Sequence, residues 1–242
     1  MVFRILGPFL IALTPLVTLK AEATPVDCAD IAVVFAIDAS GSITSADFRL
    51  QTSGHYLALF DPDVLAALST VGTVDLAAVF WGDSAYSSQV VDWVRVNTAE
   101  DAQRFAHRLM ATPRMVSGNT DIGTGLTIAL DLIERSDRCA HRAVIDLSGN
   151  GRATLLGRIS RGIPLAFARQ RAMDMGVTIN ALAITTDDGG LADYFRRHVI
   201  TGHDAFVMEA DNPDAYSEAL ARKLARELLS AADAPKGRSV GG

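Results

Sequence analysis

Three residues at alternate positions, Asp38, Ser40 and Ser42, can aim three oxygens at one point. They lie in the string Ile37-Asp38-Ala39-Ser40-Gly41-Ser42, directly after an apolar, β-branched run that reads as a strand. Gly41 permits the tight turn that would bring the three side chains together. One carboxylate and two hydroxyls are hard donors, suited to Mg²⁺, Mn²⁺ or Ca²⁺ and not to zinc. In an open parallel sheet, ligands sit at the carboxyl ends of strands, where this turn falls. The bland alternative is a polar turn with a helix cap. Two more polar, glycine-bearing loops add to the signal: Ser117-Gly118-Asn119-Thr120-Asp121-Ile122-Gly123 just before a helical stretch, and Leu147-Ser148-Gly149-Asn150-Gly151 just after the fourth strand.

The elements that must position these loops alternate along the chain. Residues 31–37, 74–81, 89–96, 143–147, 177–184 and 205–208 read as strands. Residues 48–59, 99–110, 122–133, 165–175, 191–199 and 215–229 carry apolar side chains at three and four spacing, as buried-face helices do. Such alternation predicts a parallel sheet covered by helices. The connection 82–88 is too short for a helical crossover, so the second and third strands should form an antiparallel hairpin at one edge. The expected fold class is α/β: a three-layer, doubly wound, mostly parallel six-stranded sheet with one antiparallel edge strand.

With these loops and elements together, the chain resembles the von Willebrand factor A-type domains, and looks most similar to a group of exported bacterial proteins of that type. In that family a metal-ion-dependent adhesion site is built from D-x-S-x-S after the first strand, a threonine in a Gly-Thr-rich loop and an acidic residue after the fourth strand. The resemblance covers nearly all of residues 30–229. It implies that Asp38, Ser40 and Ser42 supply the first element, Thr120 the second, and Asn150 occupies the third. Asn150 departs from the pattern, since its amide oxygen can accept from a metal-bound water but carries no charge. At an effective dielectric of about 20, a unit charge pair about 4 Å apart is worth about 4 kcal/mol of gross attraction, and a divalent ion forgoes about twice that. Asp121 and Asp146 are near enough in sequence to compensate, although strand alternation allows Asp146 to face a helix instead. The resemblance further implies one divalent cation, Mg²⁺ before Mn²⁺ or Ca²⁺, with an open position that accepts an acidic side chain from a protein partner. It also implies that the first and fourth strands are parallel neighbours. Cys28 and Cys139, at matching distances before Asp38 and Asn150, would then meet at the opposite edge and form a disulfide.

The start of the chain reads as an export signal: Arg4, an apolar run interrupted by Pro8 and Pro15, then Ala21-Glu22-Ala23. Cleavage after Ala23 is expected, leaving a domain over 24–232, a flexible tail over 233–242, and a periplasmic or secreted protein. Removing Arg4, Lys20 and Glu22 takes away a net +1, so the formal charge moves from -6 to -7. An acidic chain with two remaining lysines, Lys223 and Lys236, lacks the clustered positive charge that nucleic acid or an anionic membrane surface requires. No later stretch is long and apolar enough for membrane insertion.

The five histidines show no metal-ligand spacing and read as surface or capping residues. No nucleophile elbow, P-loop or dinucleotide fingerprint is present. A binding module, not an enzyme, is therefore expected. An aspartate-nucleophile, Mg²⁺-dependent phosphatase is the enzymatic alternative, with Asp38 attacking, Ser148 holding phosphate, and Asp187 and Asp188 helping to hold the metal. The position two residues after the nucleophile is Ser40, which leaves that chemistry without its general acid. A structural periplasmic subunit with a degenerate metal site is the other alternative.

Overall fold

The computed structural model describes residues 28–154 and 162–232. Its elements run β1 Ile31–Asp38, α1 Ser45–Ala58, α2 Pro62–Val71, β2 Val74–Trp81, β3 Gln89–Val96, α3 Ala99–Met110, α4 Ile122–Glu134, β4 Ala143–Gly149, α5 Leu165–Asp174, β5 Thr178–Ile184, α6 Leu191–His198, β6 Val207–Ala210 and α7 Pro213–Ala232. The strands form one sheet in the order β3-β2-β1-β4-β5-β6. All neighbours are parallel except β2 and β3, which pair antiparallel at the edge, as the short connection requires. This is the expected doubly wound α/β architecture. The export signal and the tail fall outside the described residues.

Burial on both faces explains the near-continuous apolar strands. Val33, Phe35 and Ile37 pack with α1, α2, α3 and α7 on one side, while Val34 and Ala36 pack with α4, α5 and α6 on the other. Each residue of β1, β2 and β4 is buried. Chain order reverses between β1 and β4, and the crevice beyond the carboxyl ends of those two strands is where such a sheet presents a site. Asp38 ends β1, and Asn150 follows β4 by one residue.

Local chemistry moves some boundaries. α1 starts at Ser45, three residues ahead of the apolar stripe, because Thr44 and Asp47 form a reciprocal capping box. α2 is absent from the sequence reading, yet Asp61 caps it, Pro62 opens it, and Val64, Ala67, Leu68 and Val71 line its buried face. β6 lies two residues later than expected, since Asp204 adopts a left-handed turn and the Phe206 N–H is taken by the Asn180 side chain.

At the opposite edge of the sheet, Cys28 and Cys139 form a disulfide with a Cα–Cα distance of 4.7 Å. It is flanked by backbone hydrogen bonds from Ala29 to Cys139 and from His141 to Ala29. The bridge thus ties the segments leading into β1 and β4. His55 departs from the surface role expected of it. It is 1% exposed, packed edge-on to Phe35, with Nδ1 bonded to the Gln51 carbonyl. Among the described residues, no helix is long and apolar enough to cross a membrane.

Candidate metal centre

The turn after β1 is set by its own first residue. Asp38 Oδ1 accepts the Ser40 N–H at 2.8 Å, which folds the chain back, and the Ser40 carbonyl then accepts the Ile43 N–H at 3.0 Å. Two side chains hold the turn from behind. Gln51 Nε2 donates to the Asp38 carbonyl at 2.9 Å, and Arg114 donates to the carbonyls of Ala39 and Ser40 at 3.1 and 2.6 Å. Engaging the carbonyls in this way leaves the side-chain oxygens to face the crevice.

The loop carrying Thr120 is stitched to this turn. The Gly41 N–H donates to the Gly118 carbonyl at 2.7 Å, and a Cβ on Gly41 would come within 2.9 Å of that oxygen. Gly118 itself needs a φ of +83°, so both contact residues are glycine for steric reasons. Asp83 braces the loop, accepting from the Asn119 side chain at 2.6 Å and from its N–H at 3.2 Å. The Ala85 N–H, which donates to Asp83 Oδ1 at 2.8 Å, and then the Asn119 bonds hold the Asp83 carboxyl below its ordinary range. Thr154 binds the Thr120 N–H through its hydroxyl, and its own N–H donates to the Thr120 carbonyl.

Three turns distant in sequence therefore meet. Ser40 Oγ lies 3.2 Å from Ser42 Oγ and 3.3 Å from Thr120 Oγ1. The Ser42 hydroxyl donates to Asn150 Oδ1 at 3.0 Å. Asp38 and Ser40 are fully buried, Thr120 nearly so, and Ser42 faces solvent. The second oxygen of Asp38, Oδ2, is buried and accepts no hydrogen bond among the described residues. Gly149 leaves room beside it, since a Cβ there would stand 3.2 Å from Oδ2. Burial pushes the Asp38 pKa up to about 6, against the opposing pull of the Ser40 hydrogen bonds, the Asn150 N–H and the Arg114 charge. A buried, half-satisfied carboxylate among hydroxyls fits a small hard cation, which would supply the missing partner. Among the described residues, no group of three His, Cys, Asp or Glu side chains could hold a metal. The donor set here is one carboxylate plus neutral oxygens.

The two acids that could offset the neutral Asn150 are engaged elsewhere. Asp121 caps α4 by accepting from the Thr124 N–H and hydroxyl at 3.0 and 2.8 Å. Asp146 is fully buried on the α7 side, in an ion pair with Lys223. Arg114 places one positive charge behind the turn, which further lowers the negative potential. Of the residues in the phosphatase alternative, Ser148 is buried with its hydroxyl donating to Gln51, and Asp188 is held by Arg152 at 2.7 Å. Arg114 and Asp83 are not among the site residues expected from sequence. The local signal for Asp83 is its place two residues past the end of β2.

Comparison with known proteins agrees with this geometry at the level of fold. Residues 27–232 match the family described as Protein of unknown function (DUF1194). The vWF domain of the type V pili tip protein Mfa5 from Porphyromonas gingivalis is similar, with 14% identity and a TM-score of 0.58 over 87% of this chain and 99% of that one. The pilus adhesin SpaC from Lactobacillus rhamnosus GG shares 16% identity and a TM-score of 0.60 over 84% of this chain and 31% of its own. Proximal thread matrix protein 1 from the mussel byssus, in a structure with a zinc-occupied MIDAS motif, shares 17% identity and a TM-score of 0.57 over 85% of this chain and 48% of its own. The chain thus spans about a third of SpaC and about half of the byssus protein. No curated protein matches it. The fold is that of von Willebrand factor A-type domains.

Proposed function

The chain belongs to the DUF1194 family, and we propose that it is an exported, adhesion-type protein-binding module that grips its partner through one divalent cation. Asp38, Ser40, Ser42 and Thr120 would hold the ion, with Asn150 reaching it through a water. The observation that carries this reading is the meeting of Ser40 Oγ with Thr120 Oγ1, 3.3 Å apart across 80 residues of sequence, beside a buried carboxylate oxygen that has no other partner. Mg²⁺ suits this set best, with Mn²⁺ and Ca²⁺ as further candidates. A +2 ion beside one carboxylate stays undersatisfied in charge, so an acidic side chain from a protein partner is the ligand expected at its open position. The adhesins of similar fold support a binding role of this kind.

Export with cleavage after Ala23, a domain over 24–232 and a periplasmic or secreted location belong to the same reading. The disulfide supports it, because such bridges persist in oxidising compartments. A second reading has its own support in Asn150 and Arg114: a structural module whose site has lost the charge needed for metal. Affinity capture separates the two. Under the first, a partner retained in Mg²⁺ is released by EDTA and is not retained by Thr120→Ala. A partner indifferent to both would favour the structural module.

A further inference from the structure

Away from the candidate metal centre, α7 is joined to the sheet by charge. Lys223 Nζ lies 2.5 Å from Asp146 Oδ1 of β4 and 2.6 Å from Glu227 Oε1, and all three side chains are 0% exposed. Asn180 of β5 donates to the same Glu227 oxygen at 2.8 Å, while its own oxygen accepts the Phe206 N–H. Phe206 covers the cluster, with the Arg226 guanidinium stacked 3.8 Å above its ring. With both acids ionised, the cluster would hold two negative charges against one positive in the core, an arrangement of high desolvation cost. One proton makes it neutral. Glu227 Oε1 already accepts two bonds and Oε2 accepts none, so Oε2 is the place for that proton.

Two buried neighbours face the cluster without adding charge to it. From α1, His55 faces the same region and burial lowers its pKa, keeping it neutral. From α7 itself, burial pushes the Tyr216 hydroxyl up, so it too stays neutral. From α2, Asp61 and Asp63 line the outer groove with Glu218, Arg222 and Arg226, on the solvent side of α7. We infer that Asp146, Lys223 and Glu227 form a proton-operated clasp on α7, closed while the cluster carries one proton and released as that proton is lost. Burial, reinforced by the Asp146 carboxylate, pushes Glu227 up to about 8 against the pull of Lys223 and Asn180.

The sign follows from linkage. A carboxyl whose folded pKa is raised binds its proton more tightly when the clasp is closed. Its contribution is complete below the ordinary carboxylate range and is lost as pH rises toward about 8. Within that window, opening of α7 should grow by about tenfold per pH unit, then level off above it. Amide hydrogen exchange of α7, corrected for intrinsic rate between about pH 5.5 and 9, reads this directly in purified protein. Wild type should show the rise and plateau, and Glu227→Gln, which mimics the protonated acid, should be flat. Equal slopes in the two proteins, or a flat wild-type profile, would overturn the clasp. Should Glu227→Gln not fold, a carbon-13 titration of the Glu227 carboxyl in wild type decides. A midpoint near the raised value supports the clasp, and one in the ordinary carboxylate range removes it.

Discussion

Asp38 brings the single carboxylate of the proposed ligand set, and its neighbours decide how much negative charge the site can offer. Arg114 lowers that charge from behind the turn, and Asn150 withholds the acid that the resemblance expects after the fourth strand. Asn150→Asp should therefore tighten Mg²⁺ binding by about tenfold or more, since a gain of about 1.4 kcal/mol already does so. Calorimetry on the variant checks this, and an unchanged dissociation constant would place residue 150 out of the ion's reach. At this scale the sequence was legible where the signal was local. Asp38, Ser40 and Ser42 stand in one string, whereas Thr120 and Asn150 were found through resemblance and not from their own surroundings. Arg114 and Asp83 carry little local signal, because they act on backbone groups and a loop about 35 to 75 residues away.

Helices and strands were legible where a periodic apolar face outlasted its neighbours. β2, β3 and α3 came out with the bounds expected of them. α2 did not, because its buried face spans few residues and its start is marked only by Asp61 and Pro62. Asp61→Ala removes the acceptor for the Asp63 and Val64 N–H groups and should cost about 1 kcal/mol in urea unfolding. α4 makes a sharper prediction. A Cβ on Gly123 would fall 1.9 Å from the Ile163 carbonyl, a backbone atom that cannot step aside cheaply. Gly123→Ala should lower stability by about 1–3 kcal/mol or more, and a variant as stable as wild type would show that the 162–164 crossing shifts freely. α7 shows its apolar stripe in sequence, but nothing local marks Lys223 and Glu227 as buried, because their partners Asp146 and Asn180 lie on distant strands.

For the molecule as a whole, the sheet order puts two features at opposite ends of the same strands. The disulfide ties the entries of β1 and β4, and the candidate metal centre sits at their exits. Replacing both cysteines by alanine should cost about 2–4 kcal/mol of stability, because the bridge closes a loop of about a hundred residues. Cation affinity should be retained. Its loss together with the bridge would mean that the two ends are mechanically coupled. The overall topology was legible because both faces of the sheet are covered, which forces a distinctive run of apolar strands. The convergence of the loops was not, since closeness across 80 and 108 residues belongs to the fold and not to any segment. Calorimetric titration of purified protein with Mg²⁺, Mn²⁺ and Ca²⁺, beside Asp38→Ala, tests that convergence most directly. Saturable binding of one ion per chain, abolished in Asp38→Ala, is the predicted result. Binding that survives the substitution, or no binding of any of the three cations, would contradict it.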